Sequence, residues 1–138
     1  MGLGEVGVGK GEGFTVNAPF PTGFGDQEYL DVYYRILKPI ALEYRPELVL
    51  VSAGFDPYSK DPLGGMGVTG EGFGGLAALV RDIAGQTCGG RVIITLEGGY
   101  NPDGLREGVR AVLQAFLNQS APPVPPPAPA AEKFPSSA

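Results

Sequence analysis

Pro46-Glu47-Leu48-Val49-Leu50-Val51-Ser52-Ala53-Gly54-Phe55-Asp56 begins on a proline, passes through four consecutive apolar residues, and ends on small residues and a carboxylate. A short continuous apolar run bounded by turn residues is the pattern of a strand buried on both faces, as in a parallel sheet. The same order returns downstream in Val92-Ile93-Ile94-Thr95-Leu96-Glu97-Gly98-Gly99-Tyr100. In an open parallel sheet the loops that follow the strands lie at the carboxyl edge, where such folds hold their chemistry. Asp56 and Tyr100 are therefore the first candidate functional residues.

Helical patterns fill the intervals. Between the two runs, Thr69 is a potential cap for a helix carrying Phe73, Leu76, Ala77, Val80, Ile83 and Ala84, with a stop expected near Gly85. After the second run, Asn101 as cap and Pro102 as first helical residue start a helix with Leu105, Val109, Val112, Leu113, Phe116 and Leu117 on one face. Upstream, a helix is expected from about Asp26 to Tyr44, bent where Pro39 interrupts it. Before that helix, Phe14 to Phe20 reads as a short strand closed by Pro19 and Pro21.

This order predicts an α/β fold of three parallel strands alternating with helices and joined by right-handed crossovers. Three strands make a narrow sheet with two edges to protect. The expectation is about half of a larger three-layer α/β/α domain over residues 1–120. Residues 121–138 hold seven of the fourteen prolines and little besides Ala and Ser. That tail is expected to be extended or disordered, without packing.

Composition narrows the function. At 138 residues with 43% hydrophobic side chains, one domain with a real core is affordable. No apolar run approaches the roughly 20 residues of a membrane helix, and no signal-peptide pattern opens the sequence. Cys88 is the only cysteine. An internal disulfide is thus impossible, which fits a reducing, cytoplasmic setting. With a net charge of −5 and scattered Lys and Arg, neither nucleic acid nor a membrane is an expected partner. The chain contains no histidine.

Gly2 to Gly7 matches a dinucleotide fingerprint, and Gly4 to Lys10 part of a phosphate loop. Both motifs need a strand before them and a helix after. Here a predicted strand follows and nothing precedes, so a loop is expected. Asp56 has two readings: a capping residue, or a carboxylate whose desolvation is offset by a cation. Tyr100, after two glycines, either packs or offers its hydroxyl.

Four stretches, in order, carry a family resemblance: Gly9 to Phe20, Pro46 to Asp56, Asp61-Pro62-Leu63-Gly64-Gly65-Met66, and Leu96-Glu97-Gly98-Gly99-Tyr100. Together they resemble the C-terminal part of the zinc-dependent histone deacetylase superfamily, nearest to class II-like bacterial deacetylases and acetylpolyamine amidohydrolases. The resemblance implies an arginase/deacetylase-type fold and hydrolysis of acetyl-lysine or a similar acetylated amine. It implies Asp56 as a ligand of Zn2+ and Tyr100 as the donor that polarises the acetyl carbonyl and stabilises the oxyanion. It further implies Leu63, Gly98 and Gly99 along the acyl-lysine channel. Some polyamine-preferring relatives carry an acidic residue at the position of Leu63, so leucine points toward acyl-lysine or other substrates with an uncharged tail.

The family's paired histidines, its Asp-x-His zinc ligands and a channel phenylalanine have no counterpart in these 138 residues. About three protein ligands hold a catalytic zinc. The resemblance therefore implies a C-terminal fragment that binds zinc unstably and is inactive alone, its partner being the missing N-terminal half or a chain that supplies it. The alternative is a non-catalytic remnant serving as an assembly or binding module.

Overall fold

The computed structural model describes residues 4–118 and 122–126. Two parallel strands, β1 (Val49–Ala53) and β2 (Val92–Leu96), pair in register from Val49 opposite Val92 to Ala53 opposite Leu96. Helix α3 (Gly70–Cys88) connects them, and α4 (Pro102–Asn118) follows β2. Helix α1 (Asp26–Val32), a π-helical turn at Tyr33–Leu37 and α2 (Lys38–Tyr44) precede the sheet.

The expected first strand does not form. Residues 14–20 are irregular, and the sheet has two strands among the described residues, not three. Aromatic packing takes the place of strand pairing: Phe14 meets Tyr44 edge-on at 6.1 Å, and Phe20 lies 4.5 Å from the Tyr29 ring. Pro19 and Pro21 would in any case leave gaps in a ladder.

The expected helix bend is a π-helical turn. Lys38 donates its backbone N–H to the Tyr33 carbonyl, five residues back. Pro39 has no N–H to donate, and the widened turn just before it accommodates the interruption. Asp26 is the first residue of α1, as expected; Gly25 caps the helix, its N–H held by Glu28 Oε2 at 2.9 Å. The Asp26 carboxylate instead accepts from the Thr69 N–H and hydroxyl at 2.8 and 2.6 Å, while Thr69 Oγ1 accepts from Gly72 N–H. One carboxylate thus links α1 to the start of α3.

Helix α3 runs past Gly85 to Cys88 and stops at Gly89, whose φ of 62° is the left-handed exit. One interior glycine costs a helix only about 1 kcal/mol, and buried Ile83, Ala84 and Cys88 keep this face packed. Helix α4 begins as expected, with Asn101 Oδ1 accepting from Gly104 N–H at 2.9 Å.

The core lies between α3, α4 and the loop after β1: Phe55, Tyr58, Val68 and Phe73, with Leu105, Val109 and Val112 against them. Close approach of α4 depends on Gly108, where a Cβ would stand 2.4 Å from Phe55 Cδ1. The strands are not buried on both faces. Ala53 packs on the core, but Leu50 is 69% exposed and its register partner Ile93 54%. Among the described residues helices cover one side only, and Leu50 and Ile93 on the other stand bare.

The beginning of the tail also departs from expectation. Pro125 is buried, Pro123 lies beside Gly75 of α3, and the Arg35 guanidinium donates to the Pro126 carbonyl. Proline rings are apolar surface, and the missing side chain at position 75 makes room for one. The remainder of the expected tail lies outside the described residues. Among the described residues, no helix is long and apolar enough to cross a membrane.

Candidate active site

Pairing of the strands continues into the loops beyond them. Glu97 N–H donates to the Ala53 carbonyl at 3.0 Å, and Phe55 N–H to the Gly98 carbonyl at 2.8 Å. These two bonds hold the Asp56 and Tyr100 loops side by side at the carboxyl edge.

Gly98 marks their meeting point. A Cβ built there would stand 2.7 Å from Asp56 Oδ2 and 3.6 Å from Tyr100 Cε2. Carboxylate and phenol ring therefore flank the same small space, kept open by a glycine. Gly99, with φ 137°, takes a turn that side chains disfavour, and a Cβ there would press on Phe55 at 3.0 Å. The Tyr100 side chain emerges 57% exposed.

Asp56 is half-buried, and no described residue donates a hydrogen bond to its carboxylate. Its charge is felt nearby: burial first, then Tyr33 and Asp56, push the Tyr29 hydroxyl above its ordinary value. An apolar cavity of about 160 Å³ lies in the core between Tyr29, Val51, Phe73, Leu76 and Phe116. Its lining includes neither Asp56 nor Tyr100.

Leu63 is 72% exposed on the loop between β1 and α3. What joins it to Tyr100 is Asp61. Asp61 Oδ1 accepts from Leu63 N–H at 2.9 Å and Gly64 N–H at 3.1 Å, and Oδ2 from Tyr100 N–H at 2.7 Å. Burial raises the carboxyl's pKa, but the hydrogen bonds from Leu63, Tyr100, Gly64 and Asn101 outweigh that and leave it below its ordinary value. Asn101 Nδ2 adds a second tie to the Lys60 carbonyl at 2.9 Å.

All five residues expected at the site, Asp56, Leu63, Gly98, Gly99 and Tyr100, thus lie in these two adjoining loops. Asp61 was the residue that sequence reasoning passed over. Its signal was an Asp-Pro step beginning a glycine-rich turn, a pattern in which the Asp side chain commonly binds backbone N–H groups two and three residues on.

Comparison with known proteins gives a consistent result. The model of the histone deacetylase domain matches residues 2–116. The human protein "Polyamine deacetylase HDAC10" is 46% identical over 120 residues, which are 86% of this chain and 17% of the human one. The rice "Histone deacetylase 10, chloroplastic" is 42% identical over 115 residues, 83% of this chain and 26% of its own length. Among solved structures, that of the HDA15 HD domain superposes with a TM-score of 0.79 at 35% identity, covering 89% of this chain and 34% of that one. The chain spans about a quarter or less of these two relatives.

Proposed function

The chain belongs to the histone deacetylase superfamily, and on that premise we propose that it carries the carboxyl-edge half of a zinc-dependent deacetylase site. The reaction is hydrolysis of the amide of an acetylated lysine or similar acetylated amine. The observation that carries this reading is the shared space at Gly98, with the Asp56 carboxylate on one side and the Tyr100 ring on the other.

Asp56 fits one coordination position. A half-buried carboxylate without a hydrogen-bond donor among the described residues suits a cation. It does not make a complete site. Zinc takes about three protein ligands, the described residues contain no cluster of three His, Cys, Asp or Glu, and the chain has no histidine. The other ligands and the general base are to be supplied by polypeptide outside these 138 residues, which we take to be the rest of the catalytic domain. The bare side of the sheet, with Leu50 and Ile93, is the surface that this remainder would cover. The same bare surface disfavours a free-standing binding module.

Within this half, Tyr100 donates its hydroxyl hydrogen to the carbonyl oxygen as negative charge gathers there. Gly98 and Gly99 leave room for the acyl group. Leu63 offers an apolar wall and no carboxylate to attract a second ammonium, which favours acyl-lysine over a polyamine. A bound zinc would supply polarisation of the carbonyl and a lowered pKa for its water. A reducing compartment such as the cytoplasm belongs to the same proposal, on the strength of Cys88 as a buried free thiol. The rice relative's name, by contrast, says chloroplastic.

Deacetylation of an acetyl-lysine peptide tests the reading. The 138-residue chain alone is expected to be inactive and the complete domain active. Tyr100→Phe in the complete domain should lower kcat about 10²- to 10³-fold. Full activity of that variant would refute the assignment.

A further inference from the structure

We propose that Asp61 is a positioning residue of this site, a single carboxylate that sets the Tyr100 hydroxyl and the Leu63 wall relative to one another. The inference rests on the assignment of Tyr100 above and deepens it.

Tyr100 needs an external anchor. Its loop starts with Gly98-Gly99, residues with little conformational preference of their own. Its side chain is largely exposed, so packing does not fix the ring. The hydroxyl is therefore aimed from the backbone, and the Tyr100 N–H is held by Asp61 Oδ2 at 2.7 Å across 39 residues of sequence. A charged acceptor makes such bonds short and roughly twice as strong as neutral ones. The other oxygen of the same carboxylate accepts from Leu63 and Gly64 N–H. Both oxygens are engaged, one by each loop, so neither loop shifts without disturbing the other. Asn101 strengthens the frame by bonding the Lys60 carbonyl through Nδ2 and capping α4 through Oδ1.

Asn in place of Asp cannot do this. An amide has one acceptor oxygen, and its NH2 would face an N–H on whichever side it occupied. Asp61→Asn in the complete, zinc-loaded deacetylase should lower kcat about 10- to 100-fold, the scale of a misplacement near 1 Å. KM should change less, because the lost interaction belongs to the transition state. In a Tyr100→Phe background the same substitution should alter kcat by less than about 3-fold, since the group it positions is already gone.

An equal kcat loss in both backgrounds would overturn the proposal, because Asp61 would then act on something other than the Tyr100 hydroxyl. If Tyr100→Phe lowers kcat and Asp61→Asn does not, this inference fails while the site assignment stands. If Tyr100→Phe keeps full activity, the site assignment itself fails. Should Asp61→Asn not fold, Asp61→Glu, which keeps the charge but moves it by one methylene, is read in the same way. Failure of both to fold would make Asp61 a structural residue and overturn the proposal.

Discussion

Gly98→Ala separates the functional role of this loop from its structural one. The added Cβ would stand 2.7 Å from Asp56 Oδ2 and 3.2 Å from its Cγ, where ordinary contact begins at 3.4 Å. The carboxylate must therefore retreat by about 0.7 Å, and the Tyr100 ring, at 3.6 Å, is already in contact. The atom that yields is the end of a side chain. Gly98 is also not among the residues with positive φ, so alanine meets no backbone penalty. Replacing glycine at a compatible position contributes about 0.4–1 kcal/mol through the unfolded chain, which roughly offsets the adjustment. Folding stability should change by less than about 1 kcal/mol. Activity should not survive so well, because a displacement approaching 1 Å of a reacting group costs on the order of 100-fold. Chemical denaturation and kcat on an acetyl-lysine peptide, measured on the same preparation of the complete domain, give the two numbers. Full activity with unchanged stability would refute the geometry at Gly98. So would an activity loss that merely follows the unfolded fraction.

Gly108→Ala should show the opposite pattern. The obstacle there is the ring of Phe55, at 2.4 and 2.7 Å, backed by Phe73 at 3.0 Å, so overpacking should cost about 1–3 kcal/mol and lower the melting temperature. Asp61 carries a pH prediction. Because its folded pKa is depressed, its contribution is present above the unfolded value and is lost as pH falls through the folded one. The Tyr100 amide resonance should therefore titrate with a midpoint below the ordinary value of 3.8; a midpoint above that value would contradict the hydrogen bonding. Leu50→Lys puts a charge on the bare side of the sheet. It should impair assembly of the complete domain while making the isolated chain less prone to aggregate, and sedimentation of both forms would check this.

Much of this organisation is legible in the sequence, and the exceptions have physical causes. Strand β2 occupies the expected Val92–Leu96, and Thr69, Asn101 and Pro102 begin their helices as local capping chemistry requires. Local rules succeed where the relevant partner lies within three or four residues. They fail where it does not. Phe14 to Phe20 has strand-like residues, but its aromatic rings find Tyr29 and Tyr44. The apolar run at Leu50 suggested burial on both faces, yet the described residues cover one. Proline-rich composition suggested a tail without contacts, while Pro125 is buried and the Pro126 carbonyl meets Arg35. Asp26 and Asp61 look like ordinary turn residues, and each instead bonds a backbone N–H about 40 positions away.

The site residues divide in the same way. Asp56 and Tyr100 could be located from strand patterns alone, because the carboxyl edge of a parallel sheet is a consequence of topology. Their chemical roles could not be, since a carboxylate and a phenol have many uses. The family resemblance supplied those roles, and the space around Gly98 is the structural observation that agrees with them.

In the proposed function Asp56 is one ligand of a zinc ion whose remaining ligands come from outside this chain. Zinc content per folded molecule, measured on the complete domain with Asp56 and with Asp56→Ala, tests it most directly. About one zinc is expected with Asp56 and a large loss without it, together with little zinc on the 138-residue chain alone. Full zinc retention by the folded Asp56→Ala domain, or stoichiometric zinc on the isolated chain, would contradict it.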